Sequence, residues 1–328
     1  MNQTKMDETS GPPPLPHSEV PIHLSARFIP AETAKTEAMR TLLQQNYFNR
    51  FPEPYLATEL GQRDLANHVF NRLEMDRRLV IPWLDSVRPL KDSSLLEIGC
   101  GTGCSTFALA EQGARVTAVD VDKNSLTVAE ARCSLYGLEA QYFQANATEV
   151  HQLFSDQHFD FIIFYASLEH MTLAERLIAM KSTWEMLAPG DLWCVVETPN
   201  RLWYHDGHTS LLPFFFWLPD DLAYQYARFS ARDNFRELYE DGSEESMLHF
   251  RRRGRGVSFH EFELTMKPVG QLSVVSSLSE FRRKPGPPGK PAIEESIEDR
   301  YVSFLREVVP TLQEGFCQPS LNLIISKD

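Results

Sequence analysis

A glycine-rich turn, E-I-G-C-G-T-G at residues 97–103, limits most strongly how this chain can fold. It directly follows an apolar run at 95–99 and directly precedes a segment of helical character at 104–112. Glycines leave no Cβ to block the close approach of a ligand to the backbone, and a helix that starts beside them directs its first amides at that ligand. The turn therefore predicts a strand–loop–helix corner of an α/β protein.

The same alternation of apolar runs and helical segments continues after the turn. The predicted strands that follow it are 115–121, 140–145, 159–165 and 191–198. Helices are predicted over 123–136 and 172–187, and Pro189-Gly190 marks the end of the second one. Alternating strands and helices favour a Rossmann-like α/β fold, a doubly wound and mostly parallel sheet.

The flanking regions are read from periodicity and composition. Helices are predicted over 34–50, 58–88, 259–266 and 293–309, strands over 272–281 and 321–326, and a flexible loop over 284–291. The first 30 residues are rich in proline and polar side chains, which is typical of a disordered tail.

Net charge and cysteine usage exclude some classes of partner. The formal net charge is −13, which disfavours nonspecific binding to nucleic acid or to an anionic membrane. The longest apolar run, 211–219, is short and contains prolines, so no stable membrane insertion is expected. The five cysteines are unclustered and no signal-peptide pattern is present, so we expect reduced thiols in a cytoplasmic protein. The oligomeric state stays open, a homo-oligomer included.

From about Leu95 to Pro199 the sequence resembles the class I methyltransferases that depend on S-adenosylmethionine. The glycine turn is spelled differently from the G-x-G-x-x-G of dinucleotide-binding proteins, which favours S-adenosylmethionine as the cofactor. The resemblance implies cofactor contacts at Glu97, Gly99, Gly101, Gly103, Asp120, Val121, Asn146, Ala147 and Tyr165.

The resemblance also implies which part of the cofactor each of these residues would contact. Glu97 would help to hold the methionine end, and Asp120, at the end of the second strand, would accept hydrogen bonds from the ribose. Asn146-Ala147 would lie by the adenine, and the chain from Tyr165 would line the channel of the methyl donor.

These assignments divide the chain into five regions. They are a disordered tail at 1–30, a helical lid at 31–90, a cofactor-binding Rossmann-like core at 91–200, an aromatic-rich substrate-binding insert at 201–270, and C-terminal strands and a helix at 271–328 that complete the sheet.

Glu169 and His170 follow the fourth predicted strand, at the edge of the sheet where open α/β folds bind ligands. One interpretation is a catalytic pair, with a carboxylate in an apolar pocket acting as a general base beside the transferred methyl group. The other interpretation is that the pair only fixes the loop. Both stay open.

The insert combines many aromatic residues with arginines. The aromatic residues predict either a small hydrophobic core under a lid or a cavity for a large apolar substrate. The arginines predict either a solvated face or a site for phosphate groups. His205, Asp206 and His208 match no strong metal signature, so the metal ligands stay unknown. The candidate substrate-binding residues are Tyr47, Arg201, Trp203, His205, His208, Phe215, Trp217, Arg251 and Arg252.

The Glu-His pair, the Pro-Asn-Arg-Leu-Trp segment from residue 199 and the aromatic insert are similar to terpenoid C-methyltransferases. That resemblance implies a hydrophobic small molecule with an anionic head, geranyl or farnesyl diphosphate, methylated through a carbocation that aromatic faces shield, with or without cyclisation. Mg²⁺ would accompany the diphosphate. The alternatives are an O- or N-methyltransferase of a hydrophobic natural product or quinone precursor, a noncatalytic cofactor-binding protein, and an RNA or protein methyltransferase.

Overall fold

A single seven-stranded sheet forms the centre of this protein, as seen in a computed structural model that describes residues 27–51, 54–236, 242–283 and 296–328. The strands are β1 Ser94–Ile98, β2 Arg115–Asp120, β3 Gln141–Gln144, β4 Phe161–Tyr165, β5 Leu192–Pro199, β6 Ser273–Ser277 and β7 Ser320–Ser326. Their order across the sheet is β3-β2-β1-β4-β5-β7-β6. The first five strands pair in parallel, and β7 runs antiparallel between β5 and β6. The predicted Rossmann-like, mostly parallel sheet is confirmed.

Fourteen helices are found among the described residues. They are α1 Thr33–Asn46, α2 Glu59–Ala66, α3 Arg72–Met75, α4 Ile81–Val87, α5 Cys104–Ala110, α6 Lys123–Leu135, α7 Val150–Leu153, α8 Leu173–Met186, α9 Asp220–Tyr226, α10 Asp233–Arg236, α11 Glu244–Arg252, α12 Phe259–Thr265, α13 Leu278–Arg282 and α14 Ile297–Val308. None of the helices among these residues is long and apolar enough to cross a membrane.

Strands β1, β2, β4 and β5 are buried on both faces, which explains why they read as continuous apolar runs. Successive residues of β4 point to opposite faces: Ile162 and Phe164 pack with α7, α8 and α12, whereas Phe161 and Ile163 pack with α4 and α5. The carboxyl ends of β1, β2, β4 and β5 therefore meet at one edge that the helical layers leave open.

The N-terminal helices cover this edge. From Glu59 to Val87 the chain is one helical rod in which α2, α3 and α4 are joined by two π-helical turns, Asn67–Asn71 and Asp76–Val80. π-turns are rare and often occur at functional sites. Leu43, Leu65 and Val69 pack with Val128 of α6, so the cover rests on the second helix of the core.

Two expectations at the ends of the chain are corrected. The segment 272–281 was expected as one strand, but the Ser277 side chain accepts a hydrogen bond from the Glu280 amide and starts α13 after β6. The disordered tail was expected over 1–30, and residues 1–26 lie outside the described residues. The Arg27 amide, however, donates to Gln112 Oε1 at 2.9 Å and the Ile29 amide to Glu111 Oε2 at 3.1 Å, so the chain is held in place from Arg27 onward. The predicted loop 284–291 also lies outside the described residues.

Candidate active site

A cavity of about 500 Å³ lies between the open edge of the sheet and the N-terminal helices. This volume is in the range of pockets that bind cofactors and small ligands. The lining residues are Tyr47, Arg50, His68, Arg72, Met75, Asp76, Ile98, Gly99, Cys100, Gly101, Thr102, Cys104, Ser105, Val119, Asp120, Val121, Asp122, Ser125, Ala145, Asn146, Ala147, Tyr165, Ala166, Ser167, His170, Met171, Glu175, Glu197, His208 and Arg252.

The glycine turn forms one wall of this cavity and is packed too closely for other residues. A Cβ on Gly99 would lie 2.3 Å from the Cβ of Ser167, and a Cβ on Gly103 would lie 2.7 Å from Ala129. Gly101 has a φ of +51° and no atom near the place of its missing Cβ, so its backbone borders open space. The turn is therefore tightly packed at Gly99 and Gly103, and its backbone is open to the cavity at Gly101. This arrangement allows a ligand to contact the backbone of the turn directly.

Asp120 ends β2 and presents its carboxylate to the cavity. The amides of Gly101 and Asp122 each donate to it at 2.8 Å, one to each oxygen, which fixes its orientation. Burial raises the pKa of Asp120, and these two hydrogen bonds act against that shift. Because a carboxylate has about four lone-pair sites, acceptor positions remain for a pair of ribose hydroxyls.

Glu97 does not line the cavity. Its fully buried carboxyl group accepts hydrogen bonds from Ser105 and Thr106, beneath the glycine turn. Burial raises the pKa of Glu97 to about 7. Glu97 thus holds the start of α5 beneath the glycine turn, and its expected part in holding the methionine end stays a prediction.

The other expected cofactor residues line the cavity, except Gly103. Val121 is exposed, whereas Asn146 is half-buried and Ala147 is buried. The Asn146 Oδ1 atom accepts from the amide and the hydroxyl of Thr148, which sets the turn after β3. Tyr165 lies at the end of β4. These positions are spread along the carboxyl ends of the strands, as an extended nucleoside would require.

Two acidic residues of the cavity with raised pKa values, Asp76 and Glu197, were not predicted from the sequence. Asp76, in a π-turn, accepts a hydrogen bond from the Tyr165 hydroxyl, and burial raises the pKa of both groups well above their usual values. Glu197 lies within an irregularity in the pairing of β5 with β7 and has a φ of +57°. Burial raises the pKa of Glu197 to about 6, although the charge of Arg72 acts in the opposite direction.

The sequence indicated Glu197 more clearly than Asp76 or Arg72. Glu197 directly follows the apolar run of the fifth strand, so its place at the carboxyl edge of the sheet could have marked it. Asp76 and Arg72 lie in one long helical segment, and helical periodicity alone does not say which face meets a ligand. The π-turn at Asp76 has no recognisable sequence pattern.

Glu169 and His170 lie close together but in different surroundings. Glu169 is fully buried, and Thr198 Oγ1 donates to its Oε2 at 3.3 Å, while Oε1 has no hydrogen-bond partner among the described residues. His170 lines the cavity, and its Nδ1 donates to the carbonyl of Arg252 at 2.9 Å. Neither of the two interpretations of the pair, catalytic or structural, is excluded by this placement.

Of the expected substrate-binding residues, Tyr47, His208 and Arg252 line the cavity. Phe215 does not: it is buried in a separate small core with Phe216 and Tyr224. Trp203 is buried against Tyr204 and Tyr301, and Trp217 lies on the outer surface. The aromatic residues of the insert therefore pack mainly against one another, which corrects the expectation that they line a substrate cavity.

Of the candidate arginines of the insert, Arg252 lines the cavity, whereas Arg201 and Arg251 do not. Arg251 and Arg255 each pair with Asp220 at 3.1 Å in a separate depression, which Arg201 also lines. Arg252 pairs with Glu175 at 2.5 Å.

The segment 205–208 has a structural explanation. His205 is exposed and outside the cavity, and the Asp206 carboxylate accepts from the amides of His208, Thr209 and Ser210. Because these amides occupy Asp206, the three residues do not form a metal site.

The sequence model of the methyltransferase domain family matches residues 95–190. A ubiquinone biosynthesis O-methyltransferase of Ruegeria pomeroyi is 31% identical over 172 residues, which cover 52% of this chain and 64% of the relative. The cypemycin N-terminal methyltransferase of a Streptomyces species is 51% identical over 53 residues, covering 16% of this chain and 22% of the relative. The magnesium protoporphyrin IX methyltransferase of Synechocystis, solved with S-adenosylmethionine, aligns with a TM-score of 0.37 and 17% identity, covering 55% of this chain and 83% of that one.

The chain spans about half the length of the curated relatives it matches, from 44% to 64% among three ubiquinone biosynthesis O-methyltransferases. The matched segment 95–190 contains the glycine turn, Asp120 and the strands β1 to β4 that form the cofactor side of the cavity. Residues 95–190 of this chain are therefore similar to methyltransferase domains.

Proposed function

We propose that the protein is an S-adenosylmethionine-dependent methyltransferase that methylates an oxygen of a small hydrophobic acceptor. The observation that carries this proposal is the carboxyl group of Glu197, which lies in the wall of the same cavity as the glycine turn and Asp120. The pKa of Glu197, raised to about 6 by burial, suits a base that takes a proton from an acceptor hydroxyl near neutral pH.

The residues present fit the cofactor. Asp120 would hold the ribose hydroxyls, Asn146 and Ala147 would border the adenine, and the backbone at Gly101 would face the ligand. Arg72 has no ion pair or hydrogen bond through its guanidinium among the described residues, so it offers a cation for the carboxylate of the amino-acid end. When bound, S-adenosylmethionine supplies an electrophilic methyl group on a positively charged sulfur.

The chain itself would contribute orientation, proton removal and exclusion of water. Glu197 would take the proton of the acceptor hydroxyl, and the helices at Tyr47 and His68 would close the cavity above it. Glu197 keeps a left-handed backbone although it is not a glycine. Such strain is often retained where a side chain must be aimed at a reacting group.

The choice of an oxygen acceptor is supported by the relatives, several of which are ubiquinone biosynthesis O-methyltransferases. An N-terminal methyltransferase also matches, over a shorter segment. Isoprenoid diphosphate C-methylation stays a second candidate. One observation favours it: Arg50, Arg72 and Arg252 line the cavity and could face an anionic head. The pairing of Arg50 with Asp122 and of Arg252 with Glu175 weakens that observation.

The test is a methyl-transfer assay with labelled S-adenosylmethionine, read by mass spectrometry. The acceptors are catechols and phenols with an apolar tail, peptides with a free N-terminus, and geranyl and farnesyl diphosphate with Mg²⁺. We expect one methyl group on a phenolic oxygen. Transfer only to a prenyl diphosphate or only to an amine would replace the oxygen acceptor by the corresponding alternative.

Cofactor binding is measured separately by calorimetry on the same protein. Asp120→Asn is expected to weaken the affinity for S-adenosylmethionine by roughly tenfold or more, since it removes a charge-assisted acceptor. Asp156→Asn serves as the matched control, because Asp156 is an exposed acidic residue that is distant from Asp120 in the sequence. This variant should leave the affinity for S-adenosylmethionine unchanged. An unchanged affinity in Asp120→Asn would contradict the placement of the ribose.

A further inference from the structure

Glu169, His170 and His208 form the cluster of possible metal ligands found among the described residues, with one ligand atom of each within 4.8 Å of the others. His170 and His208 come from different parts of the chain, one after β4 and one in the insert, and both line the cavity. His208 therefore meets Glu169 and His170 through the tertiary fold rather than through sequence proximity.

The hydrogen bond of His170 fixes which of its ring nitrogens is free. A carbonyl oxygen only accepts, so Nδ1, at 2.9 Å from the carbonyl of Arg252, carries the proton. In the neutral imidazole, Nε2 then presents a lone pair, and it lies 3.9 Å from Glu169 Oε1. A histidine that donates its second nitrogen to a backbone carbonyl is the usual arrangement of a metal-bound imidazole.

Glu169 provides a second, independent sign. Its Oε1 is fully buried and has no hydrogen-bond partner among the described residues. Among the described residues, the ion-pair contact of Glu169 is with His170 and not with an arginine. A buried carboxylate oxygen beside an imidazole lone pair leaves two acceptors facing each other, and a cation between them would satisfy both.

One short segment, residues 252–255, holds all three ligands in place. The carbonyl of Arg252 orients His170, and the amide of Arg255 donates to the carbonyl of Glu169 at 2.9 Å. Gly254 makes room for His208, since a Cβ there would lie 2.8 Å from its Nε2. No hydrogen-bond partner is found for the ring nitrogens of His208 in the described part of the chain, so they are available to a metal ion.

We propose that Glu169, His170 and His208 bind a divalent transition-metal ion, such as Zn²⁺, at the wall of the methyl-transfer cavity. Two imidazoles and one carboxylate suit Zn²⁺ better than Mg²⁺, which prefers oxygen ligands. Ligand atoms of a tetrahedral zinc site lie roughly 3.4 Å apart for bonds near 2.1 Å. Small side-chain rotations would shorten the distances between the ligand atoms of Glu169, His170 and His208 to that value.

Three protein ligands leave a coordination position open, and this position would face the cavity through His170 and His208. A hydroxyl group bound there would lose its proton more readily. This role of the metal rests on the proposed function, whereas metal binding itself does not, so the two are tested by separate measurements.

The first measurement is calorimetry of Zn²⁺ and Mg²⁺ binding to the full, metal-free chain, together with the visible spectrum of added Co²⁺. We expect one Zn²⁺ per chain and no comparable heat with Mg²⁺. The Co²⁺ spectrum should lack sulfur-to-metal charge transfer, because no cysteine belongs to the cluster of Glu169, His170 and His208. A spectrum with thiolate bands, or no stoichiometric binding, would overturn the site.

The variants Glu169→Gln and His208→Gln should each lower the Zn²⁺ affinity by more than the roughly 10- to 100-fold that the loss of an outer partner costs. The matched control is His205→Gln, an exposed histidine of the same loop, which should keep the wild-type affinity. Circular dichroism confirms that each variant is folded, and His170→Gln replaces any that is not. Equal affinity in all variants would identify the binding as adventitious.

Activity is then measured with and without the metal on the wild-type chain. If Zn²⁺ binding depends on the three residues but methyl transfer continues after the metal is removed, the metal site is supported. Its role in methyl transfer is then rejected. Absence of methyl transfer to every acceptor, with Zn²⁺ binding intact, would reject the proposed function but not the site.

Discussion

At the scale of single residues, burial shapes the chemistry of the cavity. Burial raises the pKa of both Asp76 and Glu197, and the negative charge of Glu197 raises the pKa of Asp76 further. Arg72 moderates both groups. The cavity therefore holds acids that are protonated more easily than in water, and Glu197 is the one whose pKa falls near neutral pH.

Glu197→Gln should lower kcat by roughly 10²- to 10⁴-fold, the contribution typical of a general base, and leave the affinity for S-adenosylmethionine unchanged. In the wild type, activity should rise as pH increases through about 6, where Glu197 loses its proton. The groups that set this value are Arg72, which lowers it, and Glu169, which raises it. The pH profile of kcat is the measurement, and a profile that keeps its limb near pH 6 in Glu197→Gln would assign that limb to another group.

His68 leads to a prediction about stability. Burial lowers its pKa to about 3, below the usual 6.5 of the unfolded chain, so the unfolded state binds the extra proton. Stability is therefore present above pH 6.5 and is lost as pH falls below it. Between pH 6.5 and 5 this residue should remove up to about 2 kcal/mol.

Urea unfolding at several pH values measures this loss, which should be smaller in His68→Gln. His205→Gln, at an exposed histidine, should keep the wild-type slope. A slope in His68→Gln equal to that of the wild type would show that other groups cause the acid sensitivity.

At the scale of elements, the strands and the glycine turn could be predicted because their patterns reflect backbone requirements. Strands β1 and β4 are buried on both faces and therefore read as apolar runs. The extent of β6 was predicted less well, because Ser277 ends the strand through a local cap that hydrophobicity does not reveal. The π-turns were not predicted, since they differ from the α-helix by one hydrogen-bond shift and not by composition.

Gly103→Ala tests the packing between the glycine turn and α6. The φ of +77° costs an alanine roughly 1–2 kcal/mol, and contact of the new Cβ with the Ala129 backbone at 2.7 Å should add roughly 1–3 kcal/mol. The matched control is Gly137→Ala, with a φ of +68° and open space around it, which should show the backbone cost alone. Urea unfolding compares the two, and equal losses would contradict the packing argument.

At the scale of the whole molecule, a buried ion pair joins the N-terminal cover to the core. Arg77 donates through Nε and Nη2 to the two oxygens of Glu111 at 2.8 and 2.7 Å, and both side chains are buried. Arg77→Ala should lower the free energy of unfolding by roughly 3–5 kcal/mol, because it leaves Glu111 charged and unpaired. Arg78→Ala, at the exposed neighbour, should have little effect.

The double variant Arg77→Ala/Glu111→Ala should lose less than the sum of the two single variants. Thermal and urea unfolding measure all four proteins. Additive losses would show that the pair acts through packing and not through its charges.

The insert shows what a sequence leaves undetermined at this scale. Its aromatic residues were compatible with a cavity or with a core, and the structure places Phe215 and Phe216 in a core. The amino-acid composition indicates how much apolar surface a fold must bury. It does not determine which apolar side chains pack against each other. The meeting of His208 with Glu169 likewise depends on the path of the insert, which no local pattern encodes.

The cavity has walls from separate stretches of chain. The matched methyltransferase segment supplies the glycine turn and Asp120, while Tyr47, His68 and Arg72 come from the residues before it. In a chimera that takes its first 66 residues, up to the end of α2, from another enzyme of this architecture and so keeps Arg72, we expect the choice of acceptor to change while the donor is retained. The acceptor preference of such an enzyme would then be inherited or engineered independently of the residues that bind the methyl donor.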